Sequence, residues 1–465
     1  MGGADAGRRP LMGGTGTGRR GPSRRHLLLG GAAAGLGAAG MVGAGALLGG
    51  PAPQAPGGGP EPHGAETVPF HGEHQAGVET PPQAFASFLA FDLGRGTDAE
   101  AVRRLLRLLT DDASRLTRGE GALADSEPEL AAAPARLTVT FGFGPGLVER
   151  VAPDEAPEWL RPLPRFTEDR LRDEWSGGDL LLQVCADDPL AVAHAARMLT
   201  KDTRAFAGLR WVQDGFRNTR GAVPEGTTMR NLMGQVDGTV NPAPGTEDFR
   251  RLVWGGESGS GGNGGRQTRG DGGDRGGGDG GSRTGEGGES DGDGGRGNGK
   301  GGAGGPEWMR GGTGLVLRRI AMDLDSWDRL DRTGREAAVG RRLSDGAPLT
   351  GRAEHDEPDF KALDPLGFPA IAEYAHIRRA RSDDPAERFF RRAYNYDRSG
   401  PGGQDAGLLF AAYQHDPVRQ FVPVQRRLDE LDLLNEWVTA IGSAVFAVPP
   451  GCPEDGFIGE PLFRK

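Results

Sequence analysis

The stretch GDLLLQVCADDPLAVAHAARMLTKDTRAFAGLRWVQDGF, residues 178–216, decides the fold. Its apolar run around Leu180–Val184 lies between Gly/Asp and Asp/Asp punctuation, which predicts a short buried strand. Pro189 follows, suited by its fixed φ to the first turn of a helix, and PLAVAHAARMLTK keeps apolar residues at helical spacing. GLRWVQDGF (208–216) then predicts a second strand. Working outward, FASFLAFDL (85–93) predicts a strand, DAEAVRRLLRLLTDDASRLT (98–117) an amphipathic helix, and ARLTVTFGFG (135–144) an alternating strand. A Pro-rich connection separates the two groups.

The resulting order, β-α-β followed by β-α-β, is the split arrangement of a ferredoxin-like α+β domain. The second half repeats it. GGTGLVLRRIAMDL (311–324) predicts a strand, DSWDRLDRTGREAAVGRRL a helix beginning near Asp325, and AGLLFAAYQHD (406–416) a strand. VRQFVPVQRRLDELDLLNEWV (418–438) predicts a largely helical segment and SAVFAVPP (443–450) the last strand. Two similar halves in tandem follow, 68–220 and 221–465, with the boundary near 217–230.

Composition narrows the functional classes. A net charge of −10 over 465 residues implies no large basic surface and argues against a nucleic-acid partner. Much of the excess among the 82 glycines lies in the N-terminal region and in 255–306, where a Gly-rich run of mixed charge has almost no apolar residue. Such a run cannot bury enough surface to fold, and the reading is a disordered insertion tolerated in a surface loop. At the N-terminus, Arg24 and Arg25 directly precede a Gly/Ala-rich apolar run from Leu27 to Gly50. That pattern predicts a Tat export signal over 1–50, with a disordered tether over 51–67 and a secreted, periplasmic or cell-envelope destination. Tat substrates cross already folded, a first hint of a prosthetic group.

Two cysteines, Cys185 and Cys452, are too few for a disulfide framework; they are independent thiols or one bridge. No HExxH spacing or Cys/His cluster points to structural zinc. HGEH (71–74) is a weak metal candidate, and His194 reads as a packed or half-exposed helix residue. His376 is followed by Arg378, Arg379 and Arg381, with Arg391 and Arg392 further on. A neutral imidazole suits an axial haem ligand and guanidiniums suit haem propionates; the alternative is a plain loop histidine among solvated arginines. In NLMGQVDGTVNP (231–242), Asp237 is either a turn carboxylate or an acid facing a ligand.

NLMGQVDGTVNP matches the GxxDG signature of dye-decolorising (Dyp-type) peroxidases. PFHGEHQAGVETPPQ, WMRGGTGLVLRRIAMDLDSWDR, AHIRRA, RRAYNYD, GLLFAAYQHDPVRQFVPVQRRLDELD and IGSAVFAVPPG extend the match in order. Together they resemble the exported branch that includes the deferrochelatase/peroxidases, over about residues 68–455 apart from the insertion. The resemblance implies two ferredoxin-like domains with haem b held mainly by the second. By motif, Asp237 resembles the distal acid, His376 the proximal iron ligand and Arg391 the distal arginine, with Arg392 the alternative. Gly238, Thr239 and Val240 resemble backbone lying against haem. Arg381, Ser382 and Asp383 occupy a haem-contacting turn, where this sequence departs from the NPR-like residues of relatives. Leu408 and Phe410 resemble an apolar distal lid. Asp432 either accepts a hydrogen bond from the proximal imidazole or is a plain helix-surface acid.

The implied activity is an exported haem b peroxidase that uses H2O2 to oxidise dyes, phenols or ferrous iron. An acid as proton relay implies an acidic pH optimum, because its useful range lies below that of histidine. The competing functions are deferrochelatase-type iron release or haem carriage in iron acquisition, and a non-haem α+β binding module. Implied partners are the Tat translocase, iron-uptake proteins and a weakly held homo-oligomer.

Overall fold

A computed structural model of the chain describes residues 63–255, 305–401 and 403–464. The proposed export signal (1–50), most of the tether and most of the Gly-rich insertion lie outside the described residues. The first half contains β1 (Phe85–Leu93), α1 (Ala99–Thr117), β2 (Thr138–Phe143), β3 (Leu180–Ala186), α2 (Pro189–Thr203) and β4 (Ala207–Phe216). Both helices start where their caps dictate: Asp98 accepts from Ala101 N at 2.8 Å, and Asp188 from Leu190 N ahead of Pro189. The second half supplies β5 (Thr313–Met322), β6 (Phe390–Arg391), β7 (Tyr394–Asp397), β8 (Ala406–Gln414), α3 (Phe421–Leu431) and β9 (Val438–Val448).

Each half is an antiparallel sheet of the same order. The first runs β4-β1-β3-β2 and the second β9-β5-β8-β7, so both are ferredoxin-like. The sheets meet edge to edge twice, through Phe143↔Ala447 and Phe216↔Asn395. These seams close the eight strands into a ring, and β6 continues the lane of β7 along β8. Closure removes free edges that would otherwise template pairing with another chain.

Period-2 alternation then sorts side chains between two environments. Leu89 and Phe91 of β1 pack with Leu105, Leu109 and Met198 of the helices. Phe88 and Ala90, on the other face, join Leu315, Leu317, Tyr394, Tyr413 and Phe446 in a core drawn from both halves. On the outer face of the second sheet, Met322 and Leu408 pack with Met233, Trp327 and Leu434. This last face matters for function, because α3 and the segment around His376 stand over it and enclose a cavity.

Several boundaries differ from expectation. The helix predicted from Asp325 is two short ones, Leu324–Asp328 and Arg332–Val339, each started by its own aspartate, Asp323 and Asp331. The segment 418–438 is helical only over Phe421–Leu431, followed by a single turn over Leu433–Glu436. The last strand begins at Val438 rather than 443, because it pairs with β5 from Met322 onward. Residues 63–67, assigned by sequence to the tether, are instead held: Ala135 N donates to Gly64 O and Arg220 pairs with Glu66 at 2.8 Å. Both cysteines are free and buried, Cys185 between the sheets and Cys452 in the first helical core.

Candidate active site

The loop carrying Asp237 is braced by its own neighbours. Asn231 Oδ1 accepts from the main-chain N–H groups of Met233 (3.1 Å) and Gln235 (3.2 Å). Arg230 donates to Gly234 O at 2.8 Å, and Gly234 takes a φ of +80°, where a side chain would be strained. Asp237 N donates to Met229 O at 2.8 Å, closing a tight excursion. Met233 is buried, and its carbonyl accepts from Trp327 Nε1 at 3.1 Å. The apolar residues of the motif therefore anchor the loop while its polar end is presented outward. Gly238, with φ +128°, lets the backbone turn immediately after the acid.

Asp237 Oδ1 receives Arg391 Nη1 at 3.0 Å, and both side chains are largely buried. Arg391 is held from its other end by Asn241, which accepts from Arg391 N at 3.1 Å and donates to Arg391 O at 2.7 Å. Asp237 Oδ2 has no hydrogen-bond partner among the described residues. Arg392, the alternative by sequence, points away: it is fully buried and donates to Thr80 O and Gln83 Oε1. The chain leaves β6 after Arg391, and only Arg391 of this pair lines the cavity.

Asp237, Arg391 and His376 all line one cavity of about 740 Å³. His376 opens a short helix, His376–Ala380, and its Nδ1 lies 2.6 Å from Asp432 Oδ2. Asp432 is buried, and its Oδ1 accepts from Leu434 N, so the carboxylate is fixed from both sides. Burial alone would weaken the imidazole as a base, but the Asp432 carboxylate outweighs it and raises the His376 pKa above its ordinary value. With Nδ1 engaged, Nε2 is the ring nitrogen free of a protein partner among the described residues.

The cavity suits haem. One imidazole presents an unpartnered nitrogen, and Ile320, Met322, Leu408, Phe410 and Val424 supply apolar walls. Arg341, also on the lining, is buried and bonded only to the carbonyls of Gly346 (2.7 Å) and Glu354 (2.8 Å). It has no carboxylate partner among the described residues, and burial lowers its pKa. An acidic group such as a propionate would satisfy it. Sequence reading missed Arg341 by assigning it to a helix end, and missed Asn241, which stands inside the quoted motif.

The remaining candidates also reach the lining. Thr239 Oγ1 donates to Glu354 Oε1 at 3.0 Å, and Val240 is 58% exposed. Arg381 pairs with Glu357 at 2.5 Å, Ser382 Oγ donates to Glu387 Oε2 at 2.6 Å, and Asp383 lines the cavity beside them. The HGEH histidines diverge: His71 Nε2 meets Ser114 Oγ at 3.0 Å, while His74 stacks on Trp254 at 4.0 Å. No group of three or more metal-capable side chains occurs among the described residues. His194 is buried, 2.9 Å from Asp125.

Comparison with known proteins is consistent with this arrangement. Residues 75–217 match the family Dyp-type peroxidase, N-terminal, and residues 300–453 match Dyp-type peroxidase, C-terminal. The chain is 35% identical to the dye-decolorizing peroxidase of Thermobifida fusca, over 96% of this chain and 99% of that one. It is 32% identical to the deferrochelatase of Escherichia coli K12, covering 86% and 88%. The crystal structure of a DyP-type peroxidase from Cellulomonas bogoriensis is similar at 49% identity with a TM-score of 0.74, covering 87% of this chain and 100% of that one.

Proposed function

The chain belongs to the Dyp-type peroxidase family and is a haem peroxidase, and on that premise we propose that Asp237 and Arg391 act together on H2O2. His376, backed by Asp432, would hold the iron. The observation that carries this reading is the Asp237–Arg391 pair at 3.0 Å on the wall of the cavity that His376 also lines. Haem, when bound, supplies reduction of the peroxide O–O bond and one-electron oxidation of donors. Asp237 Oδ2, the oxygen not held by Arg391, would take a proton from one peroxide oxygen and return it to the other. Arg391 fixes the carboxylate and stabilises negative charge that develops as the O–O bond breaks. Asp432 holds the proton on Nδ1 of His376, which keeps Nε2 as the lone-pair nitrogen. Arg341 and Arg381 would take the propionates, and Leu408 and Phe410 exclude water.

The donors fall to the same reading: bulky dyes, phenols or ferrous iron, handled outside the cytoplasm after Tat export. Arg24 and Arg25 ahead of the apolar run support export. The second reading, iron release from haem, is supported by the 32% identity to deferrochelatases. One experiment separates them. The holoprotein is turned over with H2O2 and each donor, and its porphyrin is then identified by mass spectrometry. Donor oxidation with haem intact supports the peroxidase role; iron-free porphyrin without donor oxidation overturns it. Fractionation of cells carrying Arg24→Lys/Arg25→Lys tests export, with retention inside the cytoplasm expected.

A further inference from the structure

A second chamber, of about 830 Å³, adjoins the first and shares Asp237, Gly238, Asn241 and Arg391 with it. H2O2 is far too small to need it, since a water molecule's share of liquid volume is only about 30 Å³. Its walls are partly apolar, with Pro69, Pro82 and Met229, and partly charged. Arg391 is already paired with Asp237. Arg217 is not paired. Its Nε donates to Ala393 O at 2.6 Å and its guanidinium lies 5.0 Å from the Tyr394 ring centre. Its two Nη groups have no hydrogen-bond or carboxylate partner among the described residues. Burial pushes its pKa down to about 10, so it stays charged through neutral pH.

We propose that this chamber is a subsite for peroxycarboxylic acids, in which Arg217 donates to the carbonyl oxygen of the peroxyacid and then to the carboxylate released, while the apolar wall holds the acyl group. The proposal rests on the peroxidase reading above and deepens it. A guanidinium anchored by Nε and by stacking presents its remaining N–H groups as a planar fork, the geometry that a carboxylate accepts. Glu73 and Glu79 line the same chamber and disfavour acyl groups that carry a carboxylate of their own.

The chemistry differs from that of H2O2 in one respect. When the O–O bond of RC(O)OOH breaks, the bonding pair leaves with RCOO⁻, a stable anion that needs no proton. With H2O2 the leaving oxygen is hydroxide unless Asp237 protonates it. The balance is RC(O)OOH + 2 AH → RCOOH + H2O + 2 A•, where AH is the organic donor of the proposed activity. Arg217 therefore acts on the leaving carboxylate and Asp237 matters less.

The test uses the holoprotein with benzoate, the carboxylate product of peroxybenzoic acid, in titration calorimetry that requires no turnover. Saturable binding is expected, weakened about tenfold or more in Arg217→Gln and less in Arg217→Lys. In parallel, the ratio of kcat/KM for peroxybenzoic acid to that for H2O2 falls about tenfold in Arg217→Gln and rises in Asp237→Asn. Should Arg217→Gln fold poorly, the wild-type protein still decides: benzoate must compete with peroxybenzoic acid at the concentration where it binds. Absence of saturable benzoate binding, or equal binding in Arg217→Gln, overturns the subsite. Benzoate binding without H2O2 turnover in the wild-type protein would instead overturn the peroxidase reading.

Discussion

Replacing Asp432 with asparagine tests the proposal that Asp432 prepares His376 to hold iron. The Nδ1···Oδ2 contact of 2.6 Å joins a 30% exposed imidazole to a carboxylate that is 4% exposed. An ionised carboxylate can only accept, which keeps the proton on Nδ1 and the lone pair on Nε2. In Asp432→Asn, the Oδ1 that accepts from Leu434 N is retained, so the Nδ2 amide faces the imidazole. The amide donates, forcing the proton onto Nε2 and removing the ligating lone pair. Flipping the amide instead restores the His376 bond but breaks the Leu434 cap, a loss of about 1 kcal/mol. A charge-assisted hydrogen bond contributes about 1.5–3 kcal/mol, and losing the group that orients a ligating histidine lowers metal affinity about 10–100-fold. Haem titration of the apoprotein, followed at the Soret band, should therefore show affinity reduced by about that factor. The stability of the apoprotein in thermal unfolding should fall by up to the charge-assisted bond's about 1.5–3 kcal/mol, read separately from haem affinity. Unchanged haem affinity in a folded variant would refute the reasoning.

Other consequences are equally direct. Arg392→Ala removes a fully buried guanidinium and leaves Gln83 Oε1 and Thr80 O without it, so the apoprotein should lose about 2–5 kcal/mol in denaturant unfolding. Gly238→Ala has room for its Cβ, the nearest atom being Thr228 Cγ2 at 3.5 Å, but φ +128° makes it strained by about 1–3 kcal/mol. Relief of that strain should move Asp237, so H2O2 turnover should fall in a variant that still loads haem. Asp202 has its pKa raised to about 7, by burial first and then by the neighbouring Asp112 carboxyl. A carboxyl raised in the folded state stabilises it below the unfolded value and loses that contribution as pH rises through about 7. Asp202→Asn should therefore melt higher than wild type at pH 8, with the difference shrinking toward pH 4; a difference independent of pH would contradict the pairing.

Much of the architecture was legible because it is local. β1, α1, β2, β3, α2 and β4 follow from short apolar or alternating runs between turn residues, apolar residues at helical spacing and an N1 proline, and the structure places them where those signals stand. The strand over 390–397 was hidden. It is broken at Arg392–Ala393 into pieces of two and four residues, carries charges, and becomes a strand only by pairing with β8. The start of β9 was hidden likewise, since NEWVTAIG has no strand alternation and takes its conformation from β5. Ring closure rests on single residue pairs at each seam, which no period reveals. In the site, Asp237 and His376 stood out by motif. The resemblance offers Asp432 as the acceptor for the His376 imidazole, and the structure decides that alternative against a helix-surface acid; Arg341 gains its meaning only from burial without a carboxylate.

In the proposed mechanism, Asp237 and Arg391 act on the peroxide while His376 holds the iron. Rapid mixing of haem-loaded Asp237→Ala and Arg391→Leu with H2O2 addresses it most directly. The mechanism predicts Soret spectra like that of the wild type before mixing, and reaction with peroxide slowed about 10²–10⁴-fold in each variant. Peroxide reaction within a few-fold of wild type in both haem-loaded variants would contradict it.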